Sequence, residues 1–243
     1  MSNWTMWFSA LTDGNGALVS DVAPMDNAPQ NPGVDDPAYD PREAPPEIAD
    51  GVAWLMDNQN ADGSWQDSAL TAPRDTSLAV LALANFSTTQ TNRSEGLQWL
   101  ANATSTNSDY LSKKAEAFIR LGEPYSDLLA ELVPRQNTDG GWGLDEKKYD
   151  SNPLDTACVL RSLSLANFSD PAVIASSIGY LIASQRPDGS WGCDEYQDDV
   201  RTTARVLDAF AAYNDDYSLE TSVQNGLAWL YGKQNSDGGF GNS

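Results

Sequence analysis

The chain has 243 residues, 40% of them hydrophobic, and carries 35 acidic against 14 basic side chains for a formal charge of −21. That length and apolar content suit one domain with a real core and exclude wholesale disorder, while a surface so negative argues against nucleic acid and anionic membranes as partners. There is no histidine, which removes the commonest general base and zinc ligand together, and the two cysteines, Cys158 and Cys193, are too few for a four-ligand zinc site.

The acidic balance fits a high-salt or extracellular setting, cation binding, or plain solubility. No run approaches the roughly 20 apolar residues of a membrane span, and the start has neither a basic n-region nor a long apolar stretch. Five N-x-S/T sequons, at Asn3, Asn85, Asn92, Asn102 and Asn167, lean toward a cell surface. Cys158 and Cys193 could form one disulfide, although sequence alone does not bring them together.

Residues 1–22 form the first segment. Trp4, Trp7, Phe8 and Leu11 fall at helical spacing, so a short amphipathic helix is expected there. Such a stripe needs cover, either on an open edge of its own molecule or on a neighbour's, and the second case gives an arm-exchanged homo-oligomer. Asp13-Gly14-Asn15-Gly16 with Asp21 faintly resembles a calcium loop, but Ala17 and Pro24 stand where further ligands are needed. Residues 23–47 hold seven of the 13 prolines and read as an extended arm, because proline fixes φ and removes a donor.

From residue 48 onward four turns repeat: Gln59-Asn60-Ala61-Asp62-Gly63-Ser64-Trp65, Gln136-Asn137-Thr138-Asp139-Gly140-Gly141-Trp142, Gln185-Arg186-Pro187-Asp188-Gly189-Ser190-Trp191 and Gln234-Asn235-Ser236-Asp237-Gly238-Gly239-Phe240. Gln59 to Gln136 is 77 residues; Gln136 to Gln185 and Gln185 to Gln234 are 49 each. The long interval hides a degenerate unit, since Gly96-Leu97-Gln98-Trp99-Leu100 matches Gly51-Val52-Ala53-Trp54-Leu55 without a following Asp-Gly turn. About five helical hairpins are therefore expected over 48–243. In each, a helix bearing Trp54, Tyr180 or Trp229 ends at the turn, where glycine supplies the positive φ. A second helix then starts at Asp75-Thr76, Asp155-Thr156 or Thr202-Thr203, read as N-caps. The first of the second helices, Leu78–Leu83, is apolar nearly all round, which places the second helices on an inner ring and the aromatic-bearing helices outside.

These turns resemble the Q-W motif of squalene–hopene cyclases, oxidosqualene cyclases and protein prenyltransferase β subunits. The resemblance covers about residues 48–243 and implies an all-α fold, an α/α toroid preceded by the proline-rich arm. It also implies that Gln59/Trp65, Gln136/Trp142, Gln185/Trp191 and Gln234/Phe240 are structural clips, the glutamine tying helix ends under the aromatic ring.

The chemistry of that family is incomplete here. The D-x-D-D-T-A motif of class II terpene cyclases is matched only by Asn152-Pro153-Leu154-Asp155-Thr156-Ala157, with leucine where the proton donor should stand. Zinc sites of the prenyltransferases and of lanthionine-forming cyclases need histidine. The Cys-Gly-Glu-Gln thioester of complement-type toroids is matched poorly by Cys193-Asp194-Glu195-Tyr196-Gln197. Polysaccharide-cleaving toroids use carboxylates or arginine in a central groove; of the carboxylates, Asp155 and Asp75 are the least implausible, ahead of the loop acids Asp145, Asp194, Glu195, Asp198 and Asp199. Two readings follow. One is a noncatalytic binding or assembly module, extracellular or on the cell surface, without a cofactor unless Ca²⁺ binds, that self-associates or meets a surface partner. The other is a toroid enzyme using inner-helix carboxylates. A ring axis plugged by Leu, Val and Phe would favour the module; a deep aromatic pocket with Asp75 or Asp155 unpaired in it would favour the enzyme.

Overall fold

A computed structural model describes residues 46–145, 149–192, 199–236 and 238–240. The segment with Trp4, Trp7, Phe8 and Leu11, the arm up to residue 45, the Asp13–Asp21 loop, and Cys193, Asp194, Glu195, Asp198 and Asp237 lie outside the described residues.

The chain forms the expected all-helical α/α toroid. The helices are α1 (Pro46–Asp57), α2 (Ala72–Leu83), α3 (Gln90–Asn102), α4 (Ser108–Leu121), α5 (Ser126–Leu132), α6 (Pro153–Leu165), α7 (Pro171–Ala183), α8 (Asp199–Ala211) and α9 (Glu220–Tyr231). The even-numbered helices pack in sequence, α2 on α4, α4 on α6 and α6 on α8, and form the inner layer. The odd-numbered helices lie outside them. The degenerate unit is the α3–α4 pair. It carries no Asp-Gly turn, and Asn107 opens α4 instead, its side chain accepting from the Tyr110 amide at 3.1 Å. Gly122 closes α4 at φ +74, and the Glu123 amide reaches back to the Phe118 carbonyl.

Helix α1 begins at Pro46, inside the stretch read as extended. Proline suits a first helical position because its ring presets φ and the missing N–H would have no intrahelical acceptor.

Between the layers lies an apolar core. One part gathers Val80, Leu83, Leu100, Leu132, Trp142 and Leu163; the other gathers Leu160, Leu181, Trp191, Val206 and Phe210. Trp191 meets Phe210 edge to face, with ring centroids 5.7 Å apart. These side chains face outward from the inner helices toward the outer ones. The opposite faces of the inner helices are different, and they make the site described next.

Candidate functional site at the ring axis

The corners set the position of everything on the axis. In the first three, the tryptophan is at most 5% exposed and its indole N–H donates to a carbonyl near the end of the preceding outer helix: Trp65 to Leu55 at 2.7 Å, Trp142 to Leu132 at 2.9 Å, Trp191 to Leu181 at 2.7 Å. The glutamine amide spans its own turn, donating to the carbonyl of Gly63, Gly140 or Gly189 at 2.9 Å. It also reaches the next outer helix, at Asn92, Val173 or Ser222, over 2.8–3.0 Å. Two outer helices and one turn are thereby joined by one side chain.

The Asp-Thr and Thr-Thr pairs are not N-caps. The helices begin earlier, α2 at Ala72, α6 at Pro153 and α8 at Asp199, so these pairs sit inside the first turns. Their threonines make a latch. Each tryptophan amide donates to a buried threonine hydroxyl, Trp65 to Thr76 at 3.0 Å, Trp142 to Thr156 at 2.9 Å and Trp191 to Thr203 at 3.0 Å. Thr76 and Thr203 donate back to the same tryptophan's carbonyl at 3.1 Å. The spacing from turn Trp to threonine, 11, 14 and 12 residues, hides this pairing from a fixed-period search. The cap of α6 is Asn152, whose side chain accepts from the Asp155 amide at 2.9 Å.

Asp75 and Asp155 occupy matching first-turn positions but hold different partners. Asp75 is half-buried and paired with Arg74 at 2.9 Å. Asp155 is buried, and the Asn152 amide donates to its carboxylate at 2.6 Å. Burial pushes the Asp155 carboxyl up to about 7; the neighbouring Asp109 adds to the rise, while Asn152 and Arg201 oppose it. Asp199, read as a solvated loop acid, is the first residue of α8 and pairs with Arg186 at 2.7 Å.

The axis is not greasy. Strongly amphipathic α4 and α8 turn polar stripes toward each other past α6: Asp109, Lys113, Glu116 and Arg120 on α4, and Arg201, Arg205 and Asp208 on α8. Arg201 meets Asp109 at 3.6 Å, Arg161 of α6 meets Asp208 at 3.4 Å, and Glu116 holds Lys113 at 3.0 Å and Arg120 at 3.1 Å. Glu116 lies below the usual carboxylate range: Lys113, Arg120 and Arg205 outweigh the burial that would raise it. Lys113 is 3% exposed and Asp109 6%, so the inner part of the network is enclosed, while Arg120, Arg201 and Asp208 stay partly exposed. The apolar character of Leu78–Leu83 does not carry over to α4 and α8, where the i, i+4, i+7 spacing of Asp109/Lys113/Glu116 and of Arg201/Arg205/Asp208 is the signal in the sequence.

Cys158 stands beside this network. Burial, with Asp109 adding to it, pushes its thiol up to about 12, so it is held as a thiol and is a poor nucleophile. Among the described residues, no group of three or more Cys, Asp or Glu side chains is placed to hold a metal ion.

The corner repeats, the two helical layers and their order together decide the likeness. Residues 152–243 match the family model of the squalene-hopene cyclase C-terminal domain. Over that stretch the chain is similar to squalene-hopene cyclases. Among solved structures, it is similar to a protein from Actinoplanes with a TM-score of 0.60 at 16% identity, over 87% of this chain and 72% of that one. That likeness is one of fold. No curated protein matches the sequence. On the squalene-cyclase-like frame, two open depressions stand out. One of about 550 Å³ lies outside the ring at Asp62, Glu95 and Trp99. The other, of about 460 Å³, lies at Phe168, Ile174, Tyr213 and Tyr217. Neither reaches Asp75 or Asp155. Among the described residues no helix is long and apolar enough to cross a membrane.

Proposed function

We propose that this squalene-cyclase-like toroid is a noncatalytic binding or assembly module that works outside the cell or on its surface. The observation that carries this reading is the ring axis, where an enzyme of this architecture would hold substrate. Here the axis is occupied by charged side chains paired with one another, and Leu154 stands where the terpene cyclase motif requires an acid. Charges paired in this way orient the helices, and Asp208 and Glu116 are held by arginine or lysine instead of facing an open cavity. The acidic surface and the exposed sequon residues Asn85, Asn102 and Asn167 support the extracellular placement. Asn92 differs, because its side chain donates to Gln59 at 2.7 Å within the first corner.

Incubation with acyclic polyprenes and with acidic polysaccharides, followed by mass spectrometry, tests the reading. No product is expected. Turnover that disappears in Asp155→Asn would establish the second reading, an enzyme in which Asp155 is the acid. That reading draws its support from a carboxyl raised to about 7 beside a second carboxylate, Asp109, which is the range useful for general acid work.

A further inference from the structure

The four corners share the pattern Gln-x-x-Asp-Gly-x-Trp/Phe but not the same company. At the first three, an outer helix presses onto the turn so closely that glycine is compulsory. A Cβ on Gly63, Gly140 or Gly189, all at φ between +91 and +93, would stand 2.3–2.6 Å from a carbonyl oxygen of that helix. The helix returns the fit. Gly96 and Gly226 let it lie on the tryptophan, where a Cβ would come within 2.7 Å of the Trp65 or Trp191 ring. Three residues later its own tryptophan donates to the turn aspartate, Trp99 to Asp62 and Trp229 to Asp188, both at 3.1 Å.

At the fourth corner the half-joint is built and its counterpart is missing among the described residues. Gly238 keeps the strained φ of +85, yet a Cβ there would meet only the Gln234 side chain, 4.0 Å away. Gln234 donates to the Gly238 carbonyl at 2.8 Å and reaches no outer helix, and Phe240 is 42% exposed. The other half of the same joint lies unused at the opposite end of the array. Helix α1 carries Gly51-Val52-Ala53-Trp54-Leu55 in register with Gly96–Leu100 and Gly226–Leu230. A Cβ on Gly51 would meet nothing within 4 Å, and Trp54 is 61% exposed.

We infer that α1 of one copy docks on the Gln234–Phe240 corner of another, so that the protein associates head to tail through a fourth instance of its own internal joint. The register is set by the internal copies. Gly51 lies on the Phe240 ring, the carbonyl of Asp50 faces Gly238, and the carbonyl four residues before Gly51, that of Glu47, accepts from Gln234. This goes beyond a module of unstated partner: the partner is a second copy, and the joint is independent of whether the axis is catalytic. At a formal charge of −21 per copy the contact is opposed by repulsion, so association strengthens as salt is added.

The test uses the full chain at several concentrations, in low and in high salt, with mass read by sedimentation or light scattering. Wild type is expected to grow in mass with concentration, more so in high salt. Gly51→Leu blocks one face and Phe240→Asp the other, and both positions are exposed enough for the fold to persist, which circular dichroism checks. Each variant alone is expected to be at least tenfold weaker in association. Their equimolar mixture is expected to stop at a dimer, because one good face of each kind remains. Wild type that stays monomeric, or variants that associate like wild type, overturns the inference. If wild type is monomeric but Trp4→Ser/Trp7→Ser/Phe8→Ser associates, the chain's own N-terminal segment covers an end, and the second copy is not the occupant.

Discussion

The third and fourth corners differ in one letter of their pattern, tryptophan against phenylalanine, and in almost everything that surrounds them. Around Trp191 every group is used: the ring is buried under Gly226, its N–H is held by Leu181, and Gln185 bridges to Ser222. Around Phe240 the same backbone stands half exposed, and among the described residues its glutamine bonds only within the turn. The turn therefore does not need the neighbouring helix in order to form. It is a local device of glutamine, glycine and aromatic, and the neighbouring helix turns it into a joint. Tryptophan belongs where an N–H can reach a carbonyl; where the ring is exposed, phenylalanine suffices.

The comparison can be broken first at the rings. Trp191→Ala should cost about 3–5 kcal/mol by chemical denaturation, because a cavity opens beneath Gly226 and the Leu181 carbonyl keeps only the Ser184 hydroxyl of its two side-chain donors. Phe240→Ala in the monomer should cost about 1 kcal/mol or less. Equal losses would mean that the fourth corner is buried after all. The glycines come next. Gly140→Ala forces a methyl against the Ser176 carbonyl at positive φ and should cost about 3 kcal/mol or more, whereas Gly238→Ala carries only the backbone strain, about 1 kcal/mol.

A smaller effect separates the axis from the corners. Asp155, raised to about 7, favours the folded state most while it is protonated, so its contribution is full below the ordinary carboxylate range and is lost as pH rises through about 7. Asp155→Asn should therefore melt a few degrees above the parent at pH 8, with the gap closing toward pH 4. A gap independent of pH would remove the titration from the account. The smallest difference is between the glutamines. Gln185→Ala should cost about 1–2 kcal/mol, since it strips donors from the Gly189 and Ser222 carbonyls, and Gln234→Ala about 0.5 kcal/mol.

Much of the fold could be read from repeated letters. The Gln-to-Trp corners place the joints onto α3, α7 and α9, and the Gly96-Leu97-Gln98-Trp99-Leu100 echo located α3 although its turn had vanished. What escaped has physical causes. The threonine latches were taken for caps because Thr and Asp favour both places, and only the position of the helix start distinguishes them. The axial network escaped because a residue such as Lys113 is polar by sequence and buried in fact; its burial depends on Glu116 and on helices that arrive nearly a hundred residues later. Asp155 could be singled out from its place in the repeat, but its neighbour Asp109 lies in a helix with no repeat motif to flag it.

Two populations of charge thus live on this molecule, and dissolved ions meet only one of them. Counterions condense around the outer carboxylates and relieve their mutual repulsion, so the folded state should gain as electrolyte is added. Asp109, Lys113 and Glu116 are sheltered from that atmosphere. A substitution among them should displace the whole curve of melting temperature against ionic strength without changing its slope, while one on the outside should tilt it.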